Sequence, residues 1–157
     1  MHKKSALILF SGVGALAISF TPLFQVEAAT ASWRPYGNTN PIASSTSTWE
    51  CGITQPLATG VGAQVCIVRT PDRKYTQGAI IVQNKSSSLY SASAGVSVYR
   101  EDTSSMGSWE CSRSGVAANS WSVCFGKTIQ AITSYDNYTY RATGYVNMTD
   151  LGFSPRL

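Results

Sequence analysis

A tripeptide that occurs twice constrains this chain more than any other feature. Trp49-Glu50-Cys51 recurs as Trp109-Glu110-Cys111, and each copy is followed by a second cysteine, Cys66 or Cys124. A basic residue and a threonine come next in both places, as Arg69-Thr70 and Lys127-Thr128. Farther on, Tyr75-Thr76-Gln77-Gly78-Ala79 parallels Tyr138-Thr139-Tyr140-Arg141-Ala142, and Asn84-Lys85-Ser86 parallels Asn147-Met148-Thr149. Kept order with loops of unequal length is expected of duplicated units, here about 31–86 and 90–149. The duplication speaks to architecture and is silent on activity.

Period-two alternation runs through both halves. Tyr90, Ala92, Ala94, Val96 and Val98 alternate with Ser91, Ser93, Gly95 and Ser97, and Tyr138, Tyr140, Ala142, Gly144, Val146 and Met148 alternate with Thr139, Arg141, Thr143, Tyr145 and Asn147. Each run reads as a strand with one apolar face. Ala79 to Val82 is continuously apolar, as in a strand covered on both faces. Val65 and Ile67 point away from Cys66, and Val123 and Phe125 from Cys124, which makes those strands interior ones. Strands are expected near 31–36, 45–52, 62–70, 76–84, 90–100, 107–112, 120–128 and 137–148, with a weak helical candidate over 127–132. Short strands with Ser/Gly/Asn-rich turns predict an all-β fold: an antiparallel β-sandwich or barrel of about eight strands, built from two duplicated four-stranded units. Trp49 and Trp109 are expected at equivalent buried places, each beside its disulfide, with Glu50 and Glu110 exposed.

The first 28 residues read as a secretory signal. Lys3 and Lys4 precede an apolar stretch from Ala6 to Phe20, and Val26-Glu27-Ala28 supplies a small-x-small cleavage site. Residues 29–157 then form one domain, secreted to the extracellular space with no stable membrane anchor. The four cysteines all fall in that part. An even count in an exported chain predicts two disulfides, Cys51–Cys66 and Cys111–Cys124 within the units, although pairing between equivalent cysteines is equally symmetric. Their spacing lacks a CxxC knuckle, so no metal and no cofactor are expected.

The single histidine, His2, leaves with the signal. Ser-His-Asp and Cys-His chemistry therefore lacks its base, and Thr59-Gly60-Val61-Gly62 is too short for a phosphate loop. The charge is mildly positive, +4 over the whole chain, and dispersed, which argues against nucleic acid. Carboxylates remain: Glu50 and Glu110, at equivalent positions, form the one pair suited to a carboxylate-only glycoside hydrolase. The other acids, Asp72, Glu101, Asp102, Asp136 and Asp150, fall in turns or strand ends. Loops closed by the disulfides, carrying Leu57 and Arg113, suit an inhibitor of a secreted hydrolase. The principal expectation is binding without catalysis to an extracellular polymer or protein, through Tyr145, Trp121, Tyr75, Arg113 and Leu57, with Tyr135 among the further aromatics. Asn84, Asn137 and Asn147 head N-glycosylation sequons.

Overall fold

The computed structural model describes residues 29–101, 103–131 and 138–157. The expected signal segment, Asp102, Tyr135, Asp136 and Asn137 lie outside the described residues. Eleven strands make up the domain: β1 (Ala29–Gly37), β2 (Thr48–Cys51), β3 (Gln55–Ala58), β4 (Val61–Arg69), β5 (Tyr75–Asn84), β6 (Tyr90–Arg100), β7 (Ser105–Val116), β8 (Ser120–Phe125), β9 (Ile129–Gln130), β10 (Tyr140–Val146) and β11 (Thr149–Phe153). No helix occurs among the described residues. The helical candidate is corrected by β9, which pairs with the start of β5.

The strands form one curled sheet, a half-barrel, in the order β11-β10-β6-β7-β1-β8-β5-β4-β2, with β3 on β4 and β9 on β5. The expected all-β fold is present, but the antiparallel sandwich or barrel of about eight strands is corrected to a mixed sheet of eleven among the described residues. The exception is β1, which runs parallel to β7 over Ala29–Ala31 and antiparallel to β8 from Ser32 to Gly37. β7 turns back into β8 through Ala117–Asn119, so a strand entering between them must be parallel to one. The additional strands lack the usual signals. β3 contains a proline, tolerated because β3 pairs on one side only, β9 is two residues long, and β11 is a short return from the Asn147-Met148 turn.

β1 divides the sheet into a β6 wing (β7, β6, β10, β11) and a β5 wing (β8, β5, β4, β2), which curl over a shared core. Ala92, Ala94, Val96, Val98, Tyr140, Ala142 and Val146 come from one side, and Ala63, Val65, Ile67, Ile80, Val82 and Cys124 from the other. The approach is close: a Cβ on Gly78 would lie 2.7 Å from Val98 and 2.8 Å from Val96. The outer face of the β5 wing carries a second apolar layer of Cys66, Val68, Ala79, Ile81 and Val123, covered by Tyr36, Ile42, Trp49, Trp121 and Phe125. Interior strands β4, β5 and β8 thus bury both faces, as their unbroken apolar runs require.

The disulfides join Cys51 to Cys66 and Cys111 to Cys124. They do unlike jobs. Cys51 and Cys66 are direct cross-strand neighbours on β2 and β4, 4.0 Å apart at Cα. Cys111 and Cys124, 6.0 Å apart at Cα, join β7 to β8 across β1, the joint between the wings. The tryptophans differ likewise: Trp109 is buried in the shared core and Trp49 half-buried on the outer layer. The expectation of equivalent tryptophan sites is corrected, because the first Trp-Glu-Cys belongs to an edge strand and the second to an interior one.

Candidate functional site

Glutamines flank the apolar centres of two strands on the outer face of the β5 wing. Gln64 lies in Val61–Arg69 and Gln83 in Tyr75–Asn84. Strand pairing sets Pro56, Gly62, Gln83 and Trp121 in one row across β3, β4, β5 and β8. Three strand spacings make that row about 14 Å long. Two adjoining hollows follow it, sharing Thr54, Gly62 and Gln83. One, about 40 Å³, is lined by Trp121, Gln64 and Ile81 as well, and the other, about 310 Å³, extends past Pro56 to Lys85. Together they form a groove.

The local sequence explains its shape. Cys51, bonded to Cys66, anchors the link Gly52-Ile53-Thr54, and the Gly52 N–H donates to Val65 O at 2.8 Å. Thr54 is thereby held over β4, where its hydroxyl donates to Gln64 Oε1 at 3.2 Å. Gly62 makes the room, since a Cβ there would stand 2.7 Å from Thr54 Cγ2. At the other end β1 bulges between Pro35 and Gly37, opposite Trp121, and Gly37 adopts φ 56° with open space beside it.

The groove's polar groups keep spare capacity. Among the described residues the half-buried Gln83 amide and the Lys85 ammonium have no hydrogen-bond or ion-pair partner, and Gln64 has committed only its carbonyl. Arg34, opposite Val123 on this face and stacked 5.2 Å from the Tyr36 ring, adds a second cation. No Asp or Glu faces outward from the described parts of β1, β4, β5 and β8.

Of the five binding candidates read from the sequence, Trp121 alone lines this groove. Leu57 turns inward and packs on the shared core. Arg113 is exposed within β7, and Tyr75, 41% exposed, opens β5 at the end away from Gln83. The segments expected as disulfide-closed recognition loops are largely paired strands, β3 among them, because hydrogen bonding to β4 satisfies their backbone. Tyr145 lies on the outer face of the β6 wing. Its ring covers Gly95, where a Cβ would fall 2.5 Å from ring carbons, and its hydroxyl donates to Glu110 Oε1 at 2.7 Å. That hydrogen bond, then burial and the carboxylate charge, raises the phenol pKa above its usual 10.0. A hollow of about 560 Å³ adjoins it. Much of its polar lining is already engaged: Thr143 donates to Gly152 O, Ser97 bonds Ser108, and Asp150 Oδ1 accepts from the Gly152 N–H. Tyr145 thus covers the sheet at Gly95 while remaining 40% exposed.

The carboxylate pair does not assemble. Glu50 pairs with the core residue Ile67 and is half-buried on the inner side of edge strand β2. Glu110 alternates with the inward Trp109 and Cys111 and is exposed on the outer side of β7, with four strands between β7 and β2 in the sheet order. The Asn84 and Asn147 sequons serve the fold. Asn84 Nδ2 is buried and donates to Ser88 O, Val116 O and Ala117 O, while Asn147 Nδ2 donates to Ser91 O and Tyr90 Oη. Among the described residues no group of three His, Cys, Asp or Glu is placed to hold a metal, and no helix is long and apolar enough to cross a membrane.

Fold and bonds together define a disulfide-stabilised all-β protein, and two disulfides with no free cysteine point to an oxidising, extracellular environment. No family model, curated protein or solved structure matches the chain.

Proposed function

We propose that the protein is exported, cleaved after Ala28, and acts as a binding module that holds an extracellular polymer in the Trp121 groove without turning it over. The observation that carries this reading is the uncommitted polar capacity of Gln83, Gln64 and Lys85 beside an aromatic side chain, on a surface fixed by the Cys51–Cys66 bond. A rigid scaffold lowers the ordering cost of binding. Glu50 and Glu110 face opposite sides of the sheet, which favours binding over the paired-carboxylate glycosidase reading. Co-sedimentation with insoluble extracellular polysaccharides and cell-wall material tests the proposal. Wild type is expected in the pellet and Trp121→Ala in the supernatant, with the polymer unshortened. Equal retention of both proteins, or polymer cleavage lost in Glu50→Gln or Glu110→Gln, overturns it.

A further inference from the structure

We infer that the polymer held in this groove is an acidic polysaccharide, an inference that rests on the reading of the groove as the binding site. Charge gives the first argument. Arg34 on β1 and Lys85 beyond β5 are the charged side chains on this outer face, and no carboxylate accompanies them among the described residues of β1, β4, β5 and β8. The acids lie elsewhere: Glu50 on the inner side of β2, Glu110 under Tyr145, and Asp72 in the β4–β5 turn, bonded to Thr70. The face is thus positive on a protein that is itself net positive, +3 over residues 29–157 with 10 Lys and Arg against 7 Asp and Glu.

The hydrogen-bond inventory gives the second. Gln64 Oε1 already accepts from Thr54, which leaves its Nε2 donors. Gln83 offers its amide, Lys85 its ammonium and Trp121 its indole N–H. Free capacity is therefore weighted toward donors, and its complement is a ligand rich in acceptors: carboxylates, ring oxygens and ether oxygens. Two dispersed cations are too few for the clustered contacts that a phosphate backbone requires. An acidic sugar chain, with charge spaced by neutral rings, fits better.

Affinity measurements with polygalacturonate, the same polymer fully methyl-esterified, and a single-stranded oligonucleotide test this at low and raised salt. Polygalacturonate is expected to bind at least about ten-fold more tightly than its neutral ester, with the difference shrinking as salt shortens the screening length. Lys85→Gln and Arg34→Gln are each expected to weaken it about two- to five-fold, the range of exposed charge pairs. Trp121→Ala weakens binding of both polymers, while circular dichroism and thermal melting confirm that each variant is folded. Equal binding of acid and ester, lost in Trp121→Ala, overturns the charge inference and leaves the groove standing. Charge-dependent binding indifferent to Trp121, Lys85 and Arg34 overturns both. Failure of polygalacturonate to bind, or tighter binding of the oligonucleotide, overturns the acidic-polysaccharide assignment.

Discussion

Trp109→Ala should destabilise the protein far more than Trp49→Ala, although the two residues stand in the same sequence context. Trp109 is 6% exposed in the shared core, where its ring fills space left by two glycines. A Cβ on Gly107 would lie 2.6 Å from that ring, and one on Gly126 2.7 Å. A tryptophan buries about 150–250 Å², which at ~25 cal/mol per Å² corresponds to ~4–6 kcal/mol. Part of that area stays buried by alanine and by relaxation, so a loss of about 3–5 kcal/mol is expected. Trp49 is half-buried, meets Phe125 edge-on at 5.9 Å, and its indole N–H is buried without a partner among the described residues. Removing it forfeits partial burial and one aromatic contact but also relieves an unpaired donor, so the expected loss is about 1–2 kcal/mol. Thermal melts followed by far-ultraviolet circular dichroism, with disulfides intact, read this without relying on tryptophan fluorescence. In a domain of this size the Trp109 variant should melt about 10–20 °C lower. Equal losses at the two positions would refute the reasoning and restore equivalence of the Trp-Glu-Cys segments.

Asn84→Ala should cost about 2–4 kcal/mol in urea unfolding, because it strands the three carbonyls its amide serves. A change near zero would mean that water replaces the amide. In a glycosylating host, intact mass should show no glycan on Asn84 or Asn147, and a modified Asn84 would contradict its burial. Near-ultraviolet titration should find Tyr145 ionising above the ordinary tyrosine value, and Glu110→Gln should bring it down. The associated stability is present below the unfolded tyrosine pKa and is lost as pH rises through the raised folded value; no change in Glu110→Gln would exclude the hydrogen bond as its cause. Non-reducing peptide mapping should recover Cys51 with Cys66 and Cys111 with Cys124, and a Cys51–Cys111 peptide would contradict the topology.

Local periodicity made most strands legible. β4, β5, β6, β8 and β10 stand out because their alternating or unbroken apolar runs record which faces are buried, and Cys66 between Val65 and Ile67 marked an interior strand. What periodicity leaves out is partnership. Nothing local in Ala29–Gly37 says that it enters between β7 and β8, and that one placement makes the sheet mixed and the two disulfides unlike. The site was legible only at Trp121. Tyr145 stood out as an aromatic on a polar face, but its environment, a notch at Gly95 and a carboxylate at Glu110, arises from cross-strand register. Gln64 did carry a signal as an amide between apolar residues of β4, whereas Gln83 is one of several polar residues at the ends of β5. Their convergence with Thr54 depends on the hairpin that Cys51–Cys66 closes.

The most direct test of the account is a two-dimensional amide and indole NMR spectrum recorded while polymer is added. The account predicts that the Trp121 indole N–H and the Gln83 and Gln64 side-chain amides shift together and saturably, while the core indole of Trp109 stays in place. Shifts centred on Tyr145 and Thr143, with Trp121 unmoved, would contradict it.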